Sequence, residues 1–562
     1  MLGPGAAVTI VHRRFYFLYW KAISNHPLVS HMPFANESTW SKFSSKYGEG
    51  EVHARYEKAI DDLTGNLSGE PKVYSNFIGG KERSAEARFQ VTSPIDSAIT
   101  IGSFPKGSAK DASDAVDAAE KAFQDWRRTD LSERLRILRR GADIIRRERF
   151  ELAALLTMTN GKVRREAVGE VDMAIDYLEY YAGEMERNGG YDREMPGPSP
   201  QEWARNVLLP YGPWTVVCPF NFPFGISMGM LAGVLITGNT AVIKPASPSP
   251  APVYAIYDAL TRAGLPPGAL NLVAGSGGEV GEKLVGHPKV EGVIFTGSRE
   301  VGYGILRHNV DRRYPIPVIL ELGGKNAAII SSKADLGRAV RGVVSSAFGY
   351  GGQKCVACSR VYVHKSMSEE FLYLLVKETE AFKVMDPRLR DARTGPVIHE
   401  GAVRSYEKAA STARHDGKVL TGGRRLTEDG LERGCFVAPT IVTDLPDGHE
   451  LVDNELFLPF LCVLEFTELE DAVRRANDVP YGLTAGIYGD DRREVDYFLD
   501  NIQCGMVYVN GVRGATNGAI TGMHSFGGWK GSGSTGRGSG DIYYLLQFMR
   551  QQGRALVRWH GH

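Results

Sequence analysis

The sequence predicts an α/β protein of two or three domains, built largely from parallel βαβ units. From Val207 onward, short β-branched runs (Thr215-Val-Val-Cys218, Thr240-Ala-Val-Ile-Lys244, Leu270-Asn-Leu-Val273, Gly292-Val-Ile-Phe295) alternate with helical segments, Pro252 to Ala263 and Glu279 to Leu284. Strands separated by helices of this length form a doubly wound sheet. A second stretch of the same style runs from about Ala327 to Ile502, and 562 residues exceed what one ordinary core organises. Gly/Pro-rich turns separate the elements without a long linker or internal repeat, so interleaved domains are expected.

Before this region, Tyr74-Ser-Asn-Phe-Ile-Gly-Gly-Lys-Glu and Phe89-Gln-Val-Thr-Ser-Pro-Ile read as short strands with a Gly-Gly turn between them. The period then changes to helical. Ala112, Val116, Ala119, Phe123 and Trp126 lie on one face, as do Leu131, Leu135, Leu138, Ala142 and Ile145. Asp130 and Glu133 have the spacing of a capping box for the second helix. A third helix is expected from Glu166 to about Glu186. Val207 to Phe224 is apolar, but its four prolines suit a buried strand and turn. Gly531-Ser-Gly533-Ser-Thr-Gly536 matches the dinucleotide fingerprint G-x-G-x-x-G without the strand and βαβ unit that would give it meaning, and is read as accidental.

Composition narrows the partners. Sixty-six basic residues balance 66 acidic ones, which argues against a nucleic-acid or anionic-membrane partner. No run of eighteen apolar residues marks a membrane span. Six scattered cysteines, at 218, 355, 358, 435, 462 and 504, indicate free thiols in a reducing compartment. The first 36 residues lack acids but carry Arg13, Arg14, Lys21 and the aromatic run Phe15 to Trp20. They read either as a transit peptide or as a disordered or mis-assigned start with Met32 as initiator. The second reading is preferred, which places the protein in the cytoplasm, with the mitochondrial matrix as alternative.

Two segments carry candidate chemistry. Tyr350-Gly-Gly-Gln-Lys-Cys355 frames a cysteine with glycines, and Glu321-Leu-Gly-Gly places a glutamate beside a glycine pair. A nucleophilic thiolate needs an open approach and a way to lose its proton. Glycine removes side chains from that approach. The bland readings are a buried cysteine acting as a small hydrophobe and a surface or capping glutamate. Cys355-Val-Ala-Cys358 has no partner CxxC or nearby histidine to complete a metal site, and Cys358 is expected to pack.

From about residue 72 to 550 the chain resembles the NAD(P)-dependent aldehyde dehydrogenases. The matching blocks are Pro219-Phe-Asn221-Phe-Pro223, Lys244-Pro-Ala, Phe295-Thr-Gly-Ser298, Glu321-Leu-Gly-Gly, Gly352-Gln-Lys-Cys355, Glu455-Leu-Phe457 and Ser525-Phe526-Gly-Gly. The resemblance implies an aldehyde-dehydrogenase-like α/β fold: a Rossmann-type NAD(P)-binding domain, an α/β catalytic domain and a small β oligomerisation flap. It implies Cys355 as nucleophile, Glu321 as base toward the thioester, and Asn221 as oxyanion donor with the Cys355 backbone N–H. It also implies cofactor contacts from Lys244, Ser247, Phe295, Thr296, Gly297, Ser298, Glu455 and Phe457. The cofactor is NAD or NADP: Ser247 stands where many relatives carry a glutamate that repels a 2′-phosphate. Leu458 stands where relatives usually have glycine.

Three further stretches are similar to 1-pyrroline-5-carboxylate (L-glutamate-γ-semialdehyde) dehydrogenases. They are Pro33-Phe-Ala-Asn-Glu37, Ala347 through Arg360, and Thr516-Asn-Gly518-Ala519-Ile-Thr-Gly522. That likeness implies oxidation of glutamate semialdehyde to glutamate in proline breakdown, with Gly518, Ala519 and Phe526 holding the substrate. Those enzymes commonly place serine after the nucleophile, whereas this chain has Val356. Alternatives are another aldehyde substrate, or a catalytically silent member kept for binding or structure. The expected organisation is a partly disordered extension over 1–71, an NAD(P)-binding domain over 72–319 with 186–210 in the flap, a catalytic domain over 320–503, and an oligomerisation segment and tail over 504–562. The aromatics Tyr543, Tyr544 and Phe548 are expected to pack on a second subunit of a homodimer or larger homo-oligomer.

Overall fold

The computed structural model describes residues 34–199, 201–511 and 520–557. Two seven-stranded sheets dominate these residues. In the first, the order is Val318–Glu321, Gly292–Thr296, Pro213–Val217, Thr240–Lys244, Leu270–Leu272, Asn76–Ile78, Lys81–Arg83. Its five leading strands are parallel and the last two antiparallel. Helices cover both faces of such a sheet, which is why Thr240–Lys244 is buried at every position and reads as a continuous β-branched run. The second sheet has the order Lys418–Thr421, Thr440–Thr443, Phe460–Phe466, Cys358–His364, Asn326–Ile330, Thr484–Tyr488, Met506–Val509. Only its first strand is antiparallel. The segment Leu322 to Lys325 carries the chain from the carboxyl end of the first sheet to the amino end of the second.

Several expected elements take a different form. Gly79 and Gly80, both at positive φ, close a hairpin between Asn76–Ile78 and Lys81–Arg83. A two-residue turn folds the chain back at once, so Arg88–Thr92 pairs instead with Thr100–Pro105. The capping box lies one helix earlier than expected. Ser108 and Asp111 exchange hydrogen bonds at the start of Ala109–Trp126, whereas Asp130 makes no side-chain cap on Leu131–Arg147 and Glu133 pairs with Arg136. The third helix runs Arg164–Arg187, and Glu279 to Leu284 opens as a π-helical turn, Gly277–Gly281. Helix Arg149–Asn160 has no polar face because ten of its residues are buried, so it shows no amphipathic period. Within the expected extension, residues 39–67 form two helices, Thr39–Tyr47 and Glu49–Leu67. The second buries Val52 and Tyr56 against Arg149–Asn160.

A three-stranded antiparallel sheet joins Asp192–Pro196, Glu202–Pro210 and Met549–Val557. Two of the three tail aromatics leading into it overturn the expectation that they pack on another subunit. Tyr544 and Phe548 are fully buried in their own chain, stacked on Tyr181 and tilted against Trp214. Gly233 makes the room: a Cβ there would lie 2.6 Å from the Phe548 ring. Tyr543 alone of the three is exposed.

Candidate functional site

In the first sheet the strand order reverses between Pro213–Val217 and Gly292–Thr296. Open parallel sheets bind ligands outside the carboxyl ends of the strands at such a reversal. Asn221 follows one of these ends; Thr296 forms the other, with Gly297 and Ser298 after it; Lys244 ends the neighbouring strand. Phe295 is buried beneath Gly297, where a Cβ would lie 2.3 Å from its ring. Ser298 caps the twelve-residue helix Arg299–Val310 by accepting the Val301 N–H. The unpaired N–H groups at a helix start suit a phosphate.

Lys244 tests whether a dinucleotide fits here. It is buried, and burial pushes its ammonium down to about 8. Its Nζ donates to the Pro245 carbonyl at 3.2 Å, with no carboxylate partner among the described residues. Such a group has donors left for ligand hydroxyls, and a Cβ on Gly281 would lie 3.6 Å from its Cε. The residues therefore fit the ribose and phosphate chemistry of the cofactor. Ser247 is exposed at the rim.

Cys355 lies between helix Leu336–Phe348 and strand Cys358–His364. The chain reaches it through Tyr350, Gly351 and Gly352, all at positive φ. Gly352 is required: a side chain there would begin 2.3 Å from the Leu458 carbonyl oxygen. The thiol opens onto a cavity of ≈ 220 Å³ that Thr296, Glu321, Val356 and Phe526 also line. Burial pushes Cys355 up to about 12, with Glu455 and Glu321 adding to the rise; the N–H groups of Cys355 and Val356 oppose it.

Glu321 ends its strand with Oε2 buried and without a hydrogen-bond partner. Burial alone raises its carboxyl well above the usual range. Glu455 accepts the Gly324 N–H at 2.9 Å and is raised to about 7, again by burial. A Cβ on Gly323 would fall 1.9 Å from its Oε2, so this glycine is what admits Glu455. Phe457, at φ 60°, packs edge-on against Phe220. Leu458 is buried, with its carbonyl against Gly352.

Asn221 is buried beside the cysteine loop. Its Nδ2 donates to the Gln353 carbonyl at 3.0 Å and its Oδ1 accepts the Phe222 N–H. One Nδ2 hydrogen thus anchors the loop and the other has no protein acceptor among the described residues. Gly518 and Ala519 lie outside the described residues. Cys358 is buried in the core, as expected. No metal-binding cluster occurs among the described residues.

Other site residues escaped the sequence reading. The cavity wall holds two ion pairs, Lys162–Glu170, both fully buried, and Lys354–Glu166 at 2.6 Å. Lys162 also sits 3.5 Å above the Phe222 ring, and Glu170 accepts the Phe224 and Gly225 N–H groups at the start of helix Gly225–Ile236. The accidental fingerprint has a structural task. Ser534 Oγ accepts the Leu320 N–H and donates to the Val318 carbonyl, while the Ser532 carbonyl accepts the Leu322 N–H. These contacts seam the tail onto the strand bearing Glu321.

The aldehyde dehydrogenase family model matches residues 81–553. The 1-pyrroline-5-carboxylate dehydrogenase of Bacillus mycoides (strain KBAB4) is 35% identical over 478 residues, 84% of this chain and 91% of that protein. The same enzyme of Geobacillus thermodenitrificans (strain NG80-2) is 35% identical over 493 residues, 87% of this chain and 93% of that one. The solved 1-pyrroline-5-carboxylate dehydrogenase from Thermus with bound NAD superposes with a TM-score of 0.87 at 31% identity, covering 94% of this chain and 100% of that one. The chain belongs to the aldehyde dehydrogenase family.

Proposed function

We propose that this protein oxidises L-glutamate-γ-semialdehyde, the open form of 1-pyrroline-5-carboxylate, to L-glutamate with NAD(P)+. The observation that carries this reading is the shared cavity of Cys355 and Glu321, a thiol and an uncompensated buried carboxyl. The Cys355 thiolate adds to the aldehyde carbon. The oxyanion of the thiohemiacetal takes donors from the Asn221 amide and the Cys355 N–H, each worth about 3 kcal/mol in such sites. Bound NAD(P)+ supplies the hydride acceptor that turns this adduct into a thioester. Glu321, once ionised, takes a proton from water as that water attacks the thioester carbon. The C–S bond then breaks, releasing glutamate and the thiolate. The burial that raises the carboxyl also makes its ionised form a strong base.

The names of the relatives support the substrate, as does an unpartnered carboxylate oxygen in the cavity wall, Glu166 Oε2, that suits an α-ammonium group. In this reading the N–H groups of Gly518 and Ala519 hold the α-carboxylate. Residues 72–319 serve the cofactor through Lys244, Ser247, Phe295, Thr296, Gly297, Ser298 and, from across the crevice, Glu455 and Phe457. Residues 320–503 serve the chemistry. The exposed three-stranded arm suits a homodimer or larger homo-oligomer, and six free cysteines suit the cytoplasm. The test is a kinetic panel of semialdehydes and simple aldehydes with NAD+ and NADP+ in parallel. Glutamate semialdehyde is expected to exceed acetaldehyde by about 100-fold or more in kcat/KM, because acetaldehyde leaves the polar contacts unmade. Equal efficiency on the two would defeat the substrate.

A further inference from the structure

At the amino end of the second sheet the ladder between Asn326–Ile330 and Cys358–His364 slips by a residue after Asn326. Ahead of the paired residues, the Asn326 side chain takes three backbone groups at the amino ends of the neighbouring strands. Its Nδ2 donates to the carbonyl oxygens of Cys355, at 2.7 Å, and Ala357, at 2.9 Å. Its Oδ1 accepts the Thr484 N–H at 3.0 Å. Two acceptors on one side and a donor on the other fix which way the amide points. Asn326 is buried, and Gly324 makes the meeting possible, since a Cβ there would lie 2.6 Å from the Cys355 oxygen.

The Cys355 carbonyl and the Val356 N–H belong to one planar trans peptide, so they point in opposite directions. Asn326 holds the oxygen, which leaves the Val356 N–H on the opposite side of that peptide, where it favours the Cys355 thiolate. A hydrogen bond accepted at the oxygen also polarises the N–H of the same peptide. We propose that Asn326 is a positioning residue for the nucleophile, aiming the Val356 N–H at the sulfur and so setting how readily Cys355 becomes a thiolate. The other groups around the thiol are Glu455, Glu321, Tyr177, Tyr544 and the pairs Lys162–Glu170 and Glu166–Lys354. None of them bonds to the Asn326 side chain in the structure.

The proposal rests on Cys355 as the attacking thiol, but its test needs no turnover. Carbamidomethylation of Cys355 by iodoacetamide is followed across pH by peptide mass spectrometry in wild type, Asn326→Ala and Asn326→Thr. Both variants are expected to move the midpoint up by about one unit, slowing alkylation near neutral pH about tenfold. The acid limb of kcat/KM should move with it. An unmoved midpoint in a folded variant overturns the proposal, including a rate lowered equally at every pH. If only the threonine variant folds, it decides; if neither folds, Asn326 is a structural residue and the proposal falls. A shifted midpoint in an enzyme that turns over no semialdehyde strikes the proposed function and leaves the role of Asn326 standing.

Discussion

The two large sheets contribute to the site from opposite ends. In the first, Lys244, Thr296 and Glu321 end their strands and Asn221 follows one, all at carboxyl ends. In the second, Asn326 and Thr484 begin their strands, and Cys355 and Glu455 precede theirs, all at amino ends. The carboxyl end of the second sheet lines a different cavity, with Ser331, His364 and Glu494, that holds none of the expected residues. A carboxyl end comes with the start of the next helix, whose N–H groups bind anions without special side chains. An amino end has no such start. There the cysteine is held by the positive-φ run Tyr350 to Gly352 and by the Asn326 amide. Ligand binding is generic to the first end, whereas the nucleophile at the second depends on particular side chains.

The largest effect should therefore come from the second sheet. Cys355→Ala is expected to lower aldehyde-dependent NAD(P)H formation by about 10⁴-fold or more, while cofactor affinity by equilibrium titration stays unchanged. Turnover surviving in that variant breaks the contrast and the mechanism with it. Glu321 sits on the crossing and should fall between. Glu321→Gln is expected to slow steady-state turnover by about 10²- to 10⁴-fold yet keep a first burst of NAD(P)H, because the thioester still forms. A lost burst would move Glu321 from the hydrolytic step to the first. The carboxyl is raised by burial, so stability from its neutral form is full below the unfolded value and is lost as pH rises through the folded one. The melting temperature of wild type should thus drop relative to Glu321→Gln as pH rises above the unfolded value of about 4.3. A constant difference would show that the carboxyl is not raised.

What the sequence disclosed follows the same division. Cys355 and Glu321 stand out because rare reactive types flanked by glycines are legible in one dimension. The βαβ rhythm is equally local. Asn326 is not legible, since its partners lie 29, 31 and 158 residues away. Its one trace is a poor strand former opening the apolar run Asn326-Ala-Ala-Ile-Ile. Lys162, Glu166 and Glu170 belong to no motif in the sequence, and only the fold brings Lys354 and the cavity beside them. Tyr544 and Phe548 read as unburiable because Gly233, which accepts the Phe548 ring, lies more than three hundred residues earlier.

The smallest effect should come from the first sheet, at Lys244. Its ammonium is buried and pushed down to about 8, so the free protein bears a desolvation penalty at neutral pH that no carboxylate offsets. Lys244→Met removes the charge and keeps most of the volume. A lysine lowered in the folded state loses stability as pH falls through its folded value, so the methionine variant should melt no lower than wild type at pH 7. Any advantage should vanish as pH climbs from about 8 toward the unfolded value of about 10.4. Cofactor affinity should move the other way, about tenfold weaker, because one hydrogen bond from a charged donor to the ligand is lost. Calorimetric titration and cofactor-dependent melting shifts read the two arms separately. Iodoacetamide should still alkylate Cys355 at the wild-type rate, since the second sheet is untouched. Unaltered cofactor affinity would remove Lys244 from the ligand crevice, leaving Gly297 and Ser298 at the start of Arg299–Val310 as its remaining anchor at the carboxyl ends.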